Sequence, residues 1–272
     1  MTLALLISDV DGTLVDAQKR LTDGTIAAVG RLRAAGLAFT IISARPPSGL
    51  LPIARRLGLT VPLAGFNGGT LLMADGTVIE RHIVPEDVVR GLFELCDGSG
   101  ADPWIFADGA WHVRNPNGGH LDSERRASAQ EPVHTADLTS LYGRVDKLTW
   151  VSDDQPMLRA LCARAQAAFG ARATVGMSQT YYLDVTHLSA NKGEGVAGLA
   201  RALGVALADA AVIGDMPNDL PMFARAGIAI AMGQAPDEVK AKARYVTTSN
   251  AEDGVAHAID TILLPMIGDG PA

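Results

Sequence analysis

Apolar residues follow two patterns along this chain. Short runs at 3–8 (LALLIS), 38–43 (AFTIIS) and 210–214 (AAVIG) are too short for helices and end in polar or glycine turns, which predicts buried strands. Within 21–36, between the first two runs, Ile26, Val29 and Leu32 recur at helical spacing and Gly36 supplies a stop. After 210–214 a loop leads into 220–227 (LPMFARAG), a second helical stretch closed by glycine. Strand and helix in alternation predict an α/β fold on a parallel sheet, in which ligands bind beyond the carboxyl ends of the strands.

The middle of the chain departs from that alternation. EDVVRGLFELC (86–96) predicts a helix, and PWIFADGAWHVR (103–114) two strands about an Asp-Gly turn. A polar helical stretch follows near 122–130, then a strand at 144–152 (RVDKLTWVS), a helix at 156–170 (PMLRALCARAQAAFG) and two strands within 172–186. The pattern is that of a small α+β domain, 84–186, inserted into a larger domain formed by 1–83 and 187–272.

Composition narrows the partners. The 272 residues are 48% hydrophobic and 19% charged, the balance of an ordinary globular protein with room for about two domains. A formal net charge of −7 without a Lys/Arg cluster argues against nucleic acid or an anionic membrane and suits a protein that holds a cation. No stretch of about 18 apolar residues is present, and 3–7 lacks the basic flank and cleavage site of an export signal. Cys96 and Cys162 each fall in a predicted helix and read as packed, reduced thiols, which points to the cytoplasm.

The chemistry gathers where the strands end. Asp9 and Asp11 follow the first run and precede Gly12, where the chain can turn sharply. A solvated Asx turn would explain a lone Asp-Gly. Two neighbouring carboxylates repel, and a divalent cation such as Mg²⁺, with its preference for hard oxygen ligands, would relieve them. Asp215 and Asp219, with Asn218 between, follow the 210–214 run; Asp219 also suits a helix cap. Ser43 ends the second run, its hydroxyl and the Ala44 N–H available to a phosphate oxygen or to a simple turn before Pro46. Lys192 opens a predicted helix, where its ammonium and the helix N-terminus favour an anion. GEGVAG (193–198) matches the glycine spacing of a dinucleotide site, with Asp215 near the expected distance, but the strand before it belongs to the small domain and Asp9, Asp11 and Ser43 are left unused.

Taken in order, DVDGT (9–13), Ser43, Lys192 and GDMPND (214–219) resemble the four motifs of the haloacid dehalogenase superfamily, and the whole resembles its Cof-type sugar-phosphate phosphatases with a type IIB α+β cap. FNGG (66–69), AIAMGQAP (229–236) and AEDGVAHAI (251–259) extend the similarity over most of the larger domain. Two details depart from it: Ser-Ala-Arg at 43–45 where Thr-Gly-Arg is frequent, and Gly69 where alanine is frequent. The resemblance implies a Rossmann-like catalytic core whose inserted cap sets specificity. It implies a cytoplasmic, Mg²⁺-dependent phosphatase acting on a small phosphorylated metabolite such as a sugar phosphate.

It also implies roles. Asp9 would be the nucleophile, passing through an aspartyl-phosphate, and Asp11 the general acid and then base. Lys192, Ser43, the Ala44 N–H, Arg45 and Asn218 would bind the phosphoryl group, and Asp9, Asp11, Asp215 and Asp219 would make up the metal site, Asp11 with its side chain off the ion. In the cap, Trp104, Trp111, His112, Asn115, Asn117 and His120 are candidates by residue type. The remaining histidines, His82, His134, His187 and His257, show no metal-ligand spacing. A phosphosugar mutase on the same core, or a binding protein that kept the fold without turnover, are the competing readings.

Overall fold

The structure is a computed structural model describing residues 3–268. The chain divides into two compact units: one takes the residues up to Ala44, Leu50–Ile79 and those from Asn191 onward, the other Arg45–Gly49 and Glu80–Ala190.

The first unit is built on a parallel sheet of five strands in the order Tyr245–Val246, Ile228–Ala231, Ala210–Gly214, Leu5–Ser8, Ala38–Ile41. The strand Leu5–Ser8 is buried along its whole length, and its side chains alternate between two cores. Leu6 enters one core with Phe39, Ile41 and Ile213 and with Ala28, Val29 and Leu32 of the helix Asp23–Ala34. Leu5 and Ile7 enter the other with Val212 and with Val196 and Leu199 of the helix Lys192–Ala202. Full burial on both faces explains why these strands read as continuous apolar runs rather than alternating ones.

Register sets the level of everything that follows. Ser8 pairs with Ile41 on one side and Ile213 on the other, so the three strands stop together and their loops leave from one edge. The second strand is shorter than the 38–43 run because Ile42 turns aside to bridge Ala64. The helix expected over 220–227 closes after Leu220–Phe223, where the Gly227 N–H is drawn to Leu207 O at 2.9 Å.

The second unit carries a six-stranded sheet ordered Ala173–Gln179, Tyr182–His187, Val145–Val151, Asp102–Ala107, Ala110–Val113, Val133–His134. The helices Glu86–Cys96 and Gln155–Phe169 bury Val88, Leu92, Leu158 and Leu161 against Ile105, Leu148, Trp150, Leu183 and Val185. Its hairpin turns at Asp108 and Gly109, both with positive φ (52° and 79°), as a two-residue turn matched to strand twist requires. Cys96 and Cys162 are buried and free of any disulfide.

Candidate active site

Asp9 is the first residue past the strand Leu5–Ser8, and the sheet still holds it: its N–H donates to Ile213 O at 2.9 Å, while the Ser8 hydroxyl donates to its carbonyl at 2.7 Å. Its carboxylate is buried and accepts a hydrogen bond from Lys192 Nζ at 2.6 Å. The same ammonium donates to Asp219 Oδ1 at 2.5 Å. Lys192 is itself buried at the start of its helix, which Asn191 caps by accepting the Glu194 N–H at 3.0 Å.

Asp219 organises the loop after Ala210–Gly214. Its Oδ2 accepts the N–H groups of Asp215 (2.8 Å) and Met216 (3.0 Å), and it lies so close over Gly214 that a Cβ there would stand 2.5 Å from its carboxyl carbon. The helix-cap role open to Asp219 is not realised: its side chain makes no cap bond to the helix Leu220–Phe223 and instead satisfies the backbone donors that precede it, while its other oxygen binds Lys192. Asp215 is held by Thr13, whose hydroxyl donates to Oδ1 at 3.0 Å. Gly12, at φ +83°, brings the first loop under Asp215; a Cβ there would lie 2.3 Å from Asp215 Oδ2.

Asp9, Asp215 and Asp219 offer oxygens that all lie within 4.8 Å of one another. Three buried carboxylates share one buried ammonium, and the imbalance appears in their acidities. Burial, opposed by Lys192 and aided by Asp219, pushes Asp9 up to about 7. Burial and Asp219 push Asp215 up to about 6. Burial works against the charge of Lys192, but Asp9 and Asp219 outweigh it and hold the ammonium above its ordinary value. An all-oxygen, anionic donor set with unneutralised charge fits a hard divalent cation such as Mg²⁺.

The other expected residues divide. Ser43 is buried on the loop after Ala38–Ile41, its N–H bonded to Ala64 O and its carbonyl to the Asn67 N–H, with half-buried Ala44 beside it. Asn218 is exposed on the turn Pro217–Asp219. Arg45 falls in the second unit. Asp11, expected in the metal set with its side chain off the ion, has that side chain outside the acidic triad, in an ion pair with Lys19 at 2.7 Å. Asp11 keeps extended backbone angles (φ −81°, ψ 120°), and after it Gly12, at φ +83°, turns the chain back so that the Val15 N–H meets Val10 O.

Two contributors escaped the sequence reading. Thr13 and Gln234 stand in the sequence only as parts of DVDGT and AIAMGQAP, and Gln234, which donates to Gly12 O at 2.5 Å, reaches the site from the loop after Ile228–Ala231. The glycines of GEGVAG serve packing: Gly195 lies against Gly68, where a Cβ would approach the Gly68 Cα to 2.8 Å, and Gly198 lies against Leu71. Trp104 and Trp111 are fully buried with their rings edge to face at 5.0 Å, as core residues of the second unit. His112 is half-buried, Asn115 and Asn117 are exposed, and His120 stacks on Tyr181 and bonds Asp153 at 2.8 Å.

A parallel sheet that delivers buried carboxylates and one lysine to its carboxyl edge defines an α/β enzyme with a cation-seeking acidic centre. The chain belongs to the haloacid dehalogenase-like hydrolase family, whose model matches residues 6–259. It is similar to the pyridoxal phosphate phosphatase YbhA of Escherichia coli K12, with 27% identity over 275 residues that cover 97% of this chain and 100% of the relative. It is also similar to the 5-amino-6-(5-phospho-D-ribitylamino)uracil phosphatase YwtE of Bacillus subtilis 168, with 27% identity over 281 residues covering 94% and 96%. A crystal structure of a haloacid dehalogenase-like hydrolase from Bacteroides thetaiotaomicron matches with a TM-score of 0.88 at 26% identity, covering 96% of this chain and 100% of that one. The expected α/β fold is the one found, and the enzyme is a hydrolase of the phosphatase kind. Among the described residues no helix is long and apolar enough to cross a membrane.

Proposed function

We propose that the enzyme is a Mg²⁺-dependent phosphomonoesterase that uses Asp9 as nucleophile on a small phosphorylated metabolite, a sugar phosphate or a related ester. The observation that carries the reading is the Asp9 carboxylate, buried at the strand end, oriented by Lys192 at 2.6 Å and joined by Asp215 and Asp219. Asp9 and Asp215 would hold the cation, with Asp219 behind them. When bound, Mg²⁺ would neutralise the excess negative charge and draw phosphate oxygens into the site.

In the first step an Asp9 carboxylate oxygen bonds to phosphorus, the ester bond breaks, and Asp11 gives its proton to the departing alkoxide. Water then attacks the aspartyl-phosphate, Asp11 takes its proton, and the Asp9 carboxylate is restored. The place of Asp11 outside the acidic triad supports this division, because a proton carrier must face the leaving group rather than the cation. Lys192 fixes one oxygen of Asp9 and stabilises developing charge, with Ser43 and the Ala44 N–H on the adjacent loop as further donors to the phosphoryl oxygens.

Asn218 and Arg45 are assigned to phosphate binding, and residues 84–186 to recognition of the leaving group, as a cap. Relatives named for pyridoxal phosphate and for a phosphoribitylamino-uracil support a small hydroxylated ester as substrate. The buried, unpaired thiols suit a cytoplasmic protein.

The test is phosphate release from a panel of sugar phosphates, nucleotides and phosphorylated cofactors, with Mg²⁺ or chelator, by the wild type and Asp9→Asn. Release that needs Mg²⁺ and vanishes in a folded Asp9→Asn is expected. Undiminished turnover in that variant would refute the covalent route.

A further inference from the structure

The ion pair of Asp11 with Lys19 has no place in the reading above, yet the loop that presents Lys19 is built in detail. Asp16 Oδ1 accepts the N–H groups of Gln18 (2.9 Å) and Arg20 (2.8 Å), and Oδ2 accepts Arg20 Nε at 2.9 Å. The backbone closes on itself, Lys19 N–H to Asp16 O at 2.9 Å and Asp16 N–H to Arg20 O at 3.0 Å. Within this tight loop Lys19 takes the left-handed conformation, φ +62°, at a position that suits glycine or asparagine. A residue with a Cβ is strained there, so what lysine contributes is its side chain. That side chain ends 2.7 Å from Asp11 Oδ1.

We propose that Lys19 is a positioning residue, whose ammonium holds the Asp11 carboxylate in the orientation from which it takes the proton of the hydrolytic water. The inference rests on the role of Asp11 proposed above. Lys192 is engaged by Asp9 and Asp219, so it does not orient Asp11. The Asp11 side chain is 34% exposed, and the Lys19 ammonium meets it 2.7 Å away at Oδ1. Exposed ion pairs add little to stability, and with Lys19 itself 58% exposed the pair acts on a rate rather than on the fold.

The step concerned is the second one. The water oxygen forms its bond to phosphorus, the bond from phosphorus to the Asp9 oxygen breaks with its electron pair returning to the carboxylate, and the water proton passes to Asp11. A carboxylate turned away from the water slows this step and leaves phosphorylation of Asp9 by an activated ester unaffected.

The experiment uses p-nitrophenyl phosphate with Mg²⁺, because p-nitrophenolate departs without needing a proton and the second step is isolated. Lys19→Gly suits the backbone at φ +62°, so its Tm is expected at or above that of the wild type. Its steady-state rate is expected to fall about three- to tenfold, with a larger rapid burst of p-nitrophenol and a KM reduced in proportion. Lys19→Arg should return the wild-type burst and rate. A Lys19→Gly enzyme with the wild-type rate, or a slower one without an enlarged burst, would overturn the proposal. Failure of the wild type to release p-nitrophenol, or equal release by Asp9→Asn, would instead sink the underlying phosphatase reading and this inference with it.

Discussion

Replacing Lys192 by methionine tests the electrostatic account of the site at its centre. The side chain is 1% exposed and its ammonium serves both Asp9 (2.6 Å) and Asp219 (2.5 Å), themselves buried. Methionine keeps most of the volume and leaves two buried carboxylates without their cation. Removing one partner of a buried ion pair costs about 3–5 kcal/mol, which for a chain of this size lowers Tm by roughly 6–20 °C. The loss depends on pH, because a carboxyl can escape by keeping its proton.

Burial already pushes Asp9 up to about 7 in the presence of Lys192, and removal of the ammonium raises it further. The unfolded chain gives up the same proton near the ordinary carboxylate value, so the native state binds more protons, and stability falls as pH rises toward the folded value. Below about pH 6 Asp9 is protonated in both proteins, and its share of the difference vanishes. Above about 7 the Asp9 carboxyl of only the wild type ionises freely, and each further unit of pH adds about 1.4 kcal/mol to the gap through Asp9. Thermal unfolding of both proteins at pH 5 to 8, in chelator, should show Tm values that diverge with pH. A gap that is constant or narrows toward pH 8 would refute the shared-ammonium account.

Two more outcomes follow from the same geometry. Gly12→Ala places a Cβ 2.3 Å from Asp215 Oδ2 in a left-handed conformation, and the backbone contribution alone is about 1–2 kcal/mol; a lower Tm together with a weaker Mg²⁺ titration would be seen. With Asp9 at about 7 and Asp215 at about 6, rising pH frees both carboxylates for a cation, so the rise in Tm produced by Mg²⁺ should grow between pH 5.5 and 8 and largely disappear in Asp215→Asn.

Much of this molecule was legible along the chain because local rules decided it. Buried parallel strands read as apolar runs, and the Asp108-Gly109 turn announces its hairpin through the two residues that best tolerate positive φ. The strands Ile228–Ala231 and Tyr245–Val246 were not anticipated, since runs of only four and two residues acquire a strand role by pairing with Ala210–Gly214 and with each other. The short pair Leu63–Gly65 and Thr70–Leu72 was missed for the same reason.

The sequence by itself determined which residue types stand at which strand ends: Asp9, Ser43 and Asp215 after apolar runs, and Lys192 at a helix start. Tertiary structure alone decided how they are joined. Register brings the strand ends level, and folding brings Lys192 between Asp9 and Asp219, 183 and 27 residues away along the chain. It also set Asp11 apart from the triad, because a side chain's direction beyond a strand end follows from how the loop closes rather than from strand periodicity. The glycines of GEGVAG show the same limit: only the packed backbone of Gly68 against Gly195 reveals that their spacing answers to helix packing, a contact between segments far apart in sequence.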